Sequence, residues 1–157
     1  MRFVSPLFPN PSWYAWVLVA GLLVSGCDFS ARSLTVEVTG REFQWHIRYP
    51  GPDGRLGTGD DIRALGDVHV PVHTEVTVRL TSEDFVYTFW LPHIEAKEIA
   101  VPEMFFSIAF ETDSTGVFDL LGDQLCGYAH EGLIANMVVQ SRTDFEAWLS
   151  RKKAGVN

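Results

Sequence analysis

Apolar and polar residues alternate along most of the chain after residue 33, which is the pattern of half-buried β-strands. The first alternation is carried by Leu34, Val36 and Val38, and a second, in the opposite parity, by Phe43, Trp45, Ile47 and Tyr49. Gly40 lies between the two sets. A bulge or bend there, in one kinked strand or in two strands around a corner, would keep both sets on one face of a sheet.

Similar runs predict further strands at residues 75–81, 85–91, 106–110, 117–121 and 137–140. Pro102 excludes a central strand at residues 99–104, and the Gly, Asp and Pro residues of 50–61 indicate a solvated hairpin loop. Thr143 or Asp144 is predicted to cap a short terminal helix that turns Phe145, Trp148 and Leu149 inward. These elements predict an all-β fold, a Greek-key β-sandwich with a short C-terminal helix.

Composition agrees with one folded domain. The chain has 157 residues, of which 46% are hydrophobic, enough for a substantial core. Its formal net charge of −8 argues against nucleic acid as a partner, because phosphate binding needs clustered Lys and Arg. A basic protein partner fits this charge better.

The N-terminal segment predicts export. An apolar run at residues 13–24 follows Arg2, and the sequence VSGC at residues 24–27 resembles a bacterial lipobox. We therefore expect a lipoprotein-type signal peptide at 1–26, a lipidated Cys27 with a short tether at 27–33, a domain at 34–150 and a tail at 151–157. This places the domain on the outer, periplasmic face of the bacterial cytoplasmic membrane, held by its lipid. A plain signal peptide or an uncleaved anchor remains an alternative.

A cysteine and a histidine stand close together only at Cys126 and His130. If Cys27 carries lipid, Cys126 is the one free thiol of the mature chain. A thiolate and an imidazole suit a soft transition metal such as copper, but two ligands do not complete a site.

Five segments, in order along residues 34–149, resemble cytochrome c oxidase subunit II: VTGREFQWHIRYPG at 38–51, VHVPV at 68–72, LTSEDFVYTFWLP at 80–92, AVP at 100–102 and CGYAH at 126–130. The resemblance implies a cupredoxin sandwich. In that family the sandwich holds a binuclear copper centre that receives electrons from cytochrome c.

The copper-ligand positions of this resemblance are partly replaced. Cys126 and His130 match the family's second cysteine and second histidine. The first histidine falls at Tyr87, and the three other positions, for the first cysteine, the glutamate and the methionine, fall at Gly122, Gln124 and Leu133. The glutamate acts through its backbone carbonyl, so Gln124 can still supply that group.

These losses argue against an intact binuclear centre, which needs two bridging thiolates. The alternatives are a mononuclear copper site or no copper. His93 and Met137 are the candidates to complete a mononuclear site with Cys126 and His130. In the other interpretation, which ligand count favours, Cys126 is a small buried hydrophobe and His130 a hydrogen-bonded loop residue.

The resemblance also concerns electron uptake. Family tryptophans that help electrons enter fall at Phe43, Gln44 and Trp45, so only Trp45 keeps a tryptophan. A role for Trp45 as a core residue on the apolar face explains it equally well.

The leading hypothesis is an accessory or divergent subunit of a membrane respiratory complex, with a degenerate copper site. An alternative is a mononuclear copper electron carrier or copper-delivery protein that uses Cys126 and His130. A third is a true electron-accepting subunit of cytochrome c oxidase. The partners implied are the membrane subunits of a respiratory complex or a c-type cytochrome. No independent catalytic site is visible in the sequence, and at most the chain is one subunit of an oxidoreductase.

Overall fold

The computed structural model describes residues 33–122 and 131–155. Within these ranges ten strands and one α-helix follow one another, with short 3-10 turns at Pro92–Ile94 and Glu131–Leu133. The strands are β1 Ser33–Arg41, β2 Gln44–Tyr49, β3 Ile62–Leu65, β4 Val68–Pro71, β5 Glu75–Ser82, β6 Tyr87–Leu91, β7 Ala96–Ala100, β8 Phe106–Glu111, β9 Gly116–Gly122 and β10 Ile134–Gln140, and the helix is α1 Arg142–Lys153.

The strands form two five-stranded sheets. One has the order β3-β2-β1-β5-β8 and the other the order β4-β10-β9-β6-β7. The pairs β1 with β5 and β4 with β10 are parallel, and the other paired neighbours are antiparallel. Strands adjacent in the chain thus often lie in different sheets, and the predicted β-sandwich with a C-terminal helix is confirmed.

The alternation of inward and outward side chains along each strand places the core between the two sheets. Even-numbered residues of β1 and β5 and odd-numbered residues of β2 point inward, because successive side chains of a strand alternate in direction. Side chains with 0% exposure come from both sheets, among them Val36, Trp45, Leu80, Leu91 and Leu120. Burial of this apolar surface, worth about 25 cal/mol per Å², is the main force that joins the sheets.

The expected bulge or corner at Gly40 is wrong. Gly40 pairs with Trp45 in a regular antiparallel ladder, and the change of parity comes from a two-residue hairpin turn at Glu42 and Phe43. Both turn residues have positive φ, 51° and 60°. Such a turn normally selects Asn or Gly, so the sequence contains no ordinary signal for it.

Other strands and the cap of the helix also differ from the predicted ones. The alternation did not predict β3, β4 and β7, which are short edge or near-edge strands of four or five residues. The helix is capped by Ser141, whose hydroxyl accepts the Asp144 N–H at 3.1 Å, and not by Thr143 or Asp144. The predicted inner face is confirmed: Phe145 and Trp148 are buried and pack against Tyr49.

Candidate functional site

In the sequence, the predicted ligand segment falls between β9, which ends at Gly122, and β10, which begins at Ile134. Cys126, His130 and Gln124, like Cys27 in the N-terminal segment, lie outside the described residues. Gly122 and Leu133 frame the segment on either side. Trp45 contacts Gly122 and Leu133, and Tyr87 packs against Trp45 and Phe43.

Trp45 fills the space beside these framing residues. Its side chain is 0% exposed, and its indole Nε1–H donates to the backbone carbonyl of Leu133 at 3.2 Å. The ring meets Tyr87 and Phe89 edge-on, with centroid distances of 5.9 and 5.7 Å. The indole therefore bridges the two sheets beside Gly122 and Leu133.

Gly122 has no room for a side chain in this arrangement. A Cβ at this position would lie 2.7 Å from the Cβ and the carbonyl oxygen of Leu133 and 3.0 Å from Cζ2 of Trp45. Contacts under 3.0 Å to backbone require something to shift. The position at which the family pattern has its first cysteine is thus closed by the indole and by the Leu133 backbone.

Tyr87 is buried in a hydrogen-bonded pair with Asp84. Its phenol O–H donates to Oδ1 of Asp84 at 2.6 Å, and the phenol oxygen accepts the Phe43 N–H at 3.3 Å. Oδ2 of Asp84 accepts the Glu42 N–H at 2.7 Å. The pair thus satisfies both amides of the positive-φ turn, which explains how two residues other than glycine are held there.

The flat packing of Tyr87 also explains Gly40. A Cβ on Gly40 would overlap Cδ2 of the Tyr87 ring, so the ring lies directly on the glycine backbone. Gly40 is therefore required for close approach and not for a bend. Gly132 shows the same relation on the other side of the turn, since its Cβ would lie 2.5 Å from the Phe43 carbonyl oxygen.

The ionisation of this pair is set by its surroundings. Burial, and next the hydrogen bond to Asp84, raise the pKa of Tyr87 to about 12. Burial alone would raise the pKa of Asp84, but the hydrogen bonds from Tyr87 and from the amides of Glu42 and Phe85 outweigh it and lower that pKa. Asp84 is thus a carboxylate and Tyr87 a neutral phenol at neutral pH.

Alkaline pH should destabilise the full chain partly through Tyr87. The unfolded phenol ionises near pH 10, and the folded pKa is raised, so this stabilisation is complete below pH about 10 and is lost toward pH about 12. We expect the free energy of unfolding, from urea midpoints, to fall more between pH about 9 and about 11.5 for the native chain than for Tyr87→Phe. Tyr49, whose pKa burial also raises, contributes equally to both chains. Parallel pH profiles would contradict the assignment.

His93 and Met137, the candidates for completing a mononuclear site, both lie among the described residues. His93 is in the 3-10 turn beyond β6, where its ring stacks on Phe118 with the ring centroids 4.2 Å apart. Met137 is 2% exposed and pairs with Phe118 in the middle of β10. Cys126 and His130 lie outside the described residues, so a mononuclear site that includes His93 or Met137 stays a prediction.

A patch of exposed apolar residues lies at the β1–β2 turn. Phe43, 36% exposed, stacks on Phe85, 54% exposed, with ring centroids 5.3 Å apart, and Val86 is 41% exposed. The exposed carboxylates of Glu42 and Glu83 adjoin this pair in the sequence. We call Phe43, Phe85 and Val86 the apical patch. Exposed aromatics with acidic neighbours are suited to a basic protein partner.

Within ranges 33–122 and 131–155, no group of three or more His, Cys, Asp or Glu side chains is placed to hold a metal ion. Nor does any helix in the described part of the chain have the length and apolar character needed to cross a membrane.

Comparison with known proteins decides the family. The family model for cytochrome C oxidase subunit II, periplasmic domain, matches residues 55–141, more than half of the chain. The chain belongs to this family. Its sandwich is thus the periplasmic domain of a subunit II, as the five segments had indicated.

Relatives agree with this assignment. The alternative cytochrome c oxidase subunit 2 of Bradyrhizobium diazoefficiens is 34% identical, and the match covers 88% of this chain and 59% of that protein. Cytochrome c oxidase subunit 2 of Thermostichus vulcanus is 27% identical over 79% of this chain and 35% of its own length. The chain therefore spans between about a third and three fifths of these subunit II proteins.

A solved structure supports the fold. The periplasmic domain of subunit II of cytochrome oxidase of Bradyrhizobium japonicum superimposes with a TM-score of 0.67 at 23% identity, covering 79% of this chain and 96% of that domain. The predicted cupredoxin-like sandwich is confirmed.

Sequence reasoning missed two residues that shape this subunit II site. Asp84 looked like part of the family motif, yet here both its oxygens are used inside the protein. Gly40 looked like a bend. The signal that could have found both is the replacement at Tyr87: a buried phenol needs a hydrogen-bond partner and a flat surface to pack on.

Proposed function

We propose that this subunit II domain is an accessory or divergent subunit of a membrane respiratory complex, with a degenerate copper site. The proposal rests on the lack of space for a side chain at Gly122. A binuclear copper pair needs two bridging thiolates, and the Gly122 backbone supplies none and leaves no space for one. At the position of the family's first histidine, Tyr87 has a phenol instead of an imidazole. This phenol already donates a hydrogen bond to Asp84 and accepts one from the Phe43 N–H of the turn. The residues present do not fit the binuclear centre.

The same arrangement supports a role in protein contacts. In place of metal ligands, Tyr87 and Asp84 hold the turn that presents Phe43 beside Phe85. The apical patch and the net charge of −8 would suit a basic c-type cytochrome or a basic surface of another subunit. We propose that the domain docks through the apical patch, on the periplasmic side of the membrane, tethered by lipid on Cys27.

The experiment uses the full chain extracted from bacterial membranes in detergent. Its intact mass comes first: acyl groups on a chain that begins at Cys27 support the tether, and an unmodified Met1 rules it out. Copper is then added anaerobically to the native chain and to Cys126→Ser, and stoichiometry, visible absorption and paramagnetic resonance are recorded.

We expect no copper pair. The absence of saturable binding supports the degenerate site. One tightly bound copper with a thiolate charge-transfer band, abolished by Cys126→Ser, would instead favour the mononuclear carrier or copper-delivery protein. Two coppers per chain with a mixed-valence resonance spectrum would overturn the proposal and favour an electron-accepting oxidase subunit.

A further inference from the structure

Arginines gather on the outer face of the sheet that contains β1, β2 and β3. Strand alternation turns Arg41, Arg48 and Arg63 to this face, together with His46. The register places Arg48 directly opposite Arg63 on the antiparallel β2–β3 pair. Like charges directly opposite each other across two strands are destabilising unless something compensates them. Four cationic or basic side chains on one face are also unexpected in a chain with a net charge of −8.

Carboxylates compensate only part of this charge. Arg48 reaches Glu37 at 3.3 Å and Asp61 at 3.7 Å, and Glu37 is shared with Arg79 at 3.8 Å. Arg41 reaches Glu83 at 3.4 Å, where both side chains are about half exposed. Among the described residues, Arg63 forms no ion pair within 4.0 Å. Carboxylates thus offset the repulsion between Arg48 and Arg63 only at Arg48.

These side chains line a small pocket. It has a volume of about 100 Å³ and is bordered by Arg41, His46, Arg48 and Arg63, with Thr39 and Glu83 at its edge. Two of its nitrogens, Nε of Arg41 and Nε2 of His46, are inaccessible to solvent and have no hydrogen-bond partner in the described part of the chain. The other ring nitrogen of His46, Nδ1, lies 3.4 Å from Nη2 of Arg41. A buried polar atom without a partner is costly, so these two nitrogens indicate a missing hydrogen-bonding group.

We propose that this pocket, which we call the arginine pocket, binds the phosphate group of a small phosphate or of an anionic phospholipid. Guanidinium groups bind phosphate oxygens through paired, charge-assisted hydrogen bonds, and the unpaired Arg63 is free to form them. Phosphate oxygens also accept from the Thr39 hydroxyl. A volume of about 100 Å³ accommodates one tetrahedral oxyanion but no nucleotide base. The arginine pocket is on the outer face of the sheet, whereas Trp45 points into the core, so it does not depend on the copper question.

The test titrates the detergent-extracted full chain with inorganic phosphate and, separately, with short-chain phosphatidylglycerol, by calorimetry and phosphorus magnetic resonance. We expect saturable binding of at least one of the two, with one site per chain. Tighter binding of phosphate identifies a free phosphate as the ligand, and tighter binding of the phosphatidylglycerol identifies a lipid headgroup. Arg63→Gln should weaken this binding roughly tenfold or more, the effect of losing charge-assisted hydrogen bonds.

Arg55→Gln is the matched control, because it removes the same charge from the exposed loop between β2 and β3. Arg63 is exposed, so neither variant should lower the unfolding temperature measured without ligand. Arg41→Gln provides a second variant on the opposite side of the arginine pocket. Equal binding by Arg63→Gln and Arg55→Gln, or no saturation with either ligand, would overturn the proposal.

Discussion

Replacing Trp45 by alanine should lower the free energy of unfolding of the full chain by about 3 to 5 kcal/mol, the range for removing a large buried aromatic. The indole has no exposed surface and contacts aromatic rings of β6 in the opposite sheet. Its removal also leaves the Leu133 carbonyl without the indole N–H, its donor at 3.2 Å. Because Leu133 directly precedes β10, loss of this hydrogen bond should also destabilise the start of β10.

Urea unfolding followed by circular dichroism measures this change. Trp90→Ala is the matched control, since Trp90 is only partly buried and its ring faces Lys97 at 5.3 Å on an edge pair of strands. We expect it to cost about 1 kcal/mol, as for a partly exposed side chain. Trp45→Phe keeps most of the apolar surface and isolates the lost hydrogen bond. If Trp45→Ala cost no more than Trp90→Ala, the indole would not be the support of this end of the sandwich.

Local alternation predicted the central strands well, because each buries one face against the opposite sheet. Val36 and Val38, like Val76 and Val78, show this at 0% exposure. The edge strand β7 escaped prediction because its five residues include two charged ones and alternate little. The terminal helix was predicted from Phe145 and Trp148, whose spacing of three places them on one face.

The copper-ligand positions were only half predictable. The sequence identifies which ligands are replaced, since that needs the order of residue types alone. It does not reveal that the indole of Trp45 occupies the space beside Gly122, because these residues are far apart in the chain and in different sheets. The hairpin turn at Glu42 and Phe43 was missed for a related reason: its stabilising groups, Asp84 and Tyr87, are more than forty residues away.

Replacing Gly122 by alanine should lower the free energy of unfolding by about 1 to 3 kcal/mol, the usual cost of overpacking a core. The added Cβ meets the Leu133 carbonyl oxygen at 2.7 Å and Trp45 at 3.0 Å, and neither the backbone nor the buried indole is free to withdraw. Gly59→Ala is the matched control, because nothing lies within 4 Å of its added Cβ. That substitution should cost no more than about 0.5 kcal/mol.

The partner in this clash can be identified by a double-mutant cycle with Trp45→Phe, which removes the indole atom nearest to the added Cβ. Residues in contact couple by about 0.5 to 3 kcal/mol, so Gly122→Ala should cost less in the Trp45→Phe chain than in the native one. The contact with the Leu133 backbone persists, and the relief should be partial. Gly122→Cys should behave as Gly122→Ala does, because both introduce the same Cβ. A Gly122→Cys chain as stable as the native protein would show that a second thiolate fits beside Trp45, and the degenerate site would then lose its steric basis.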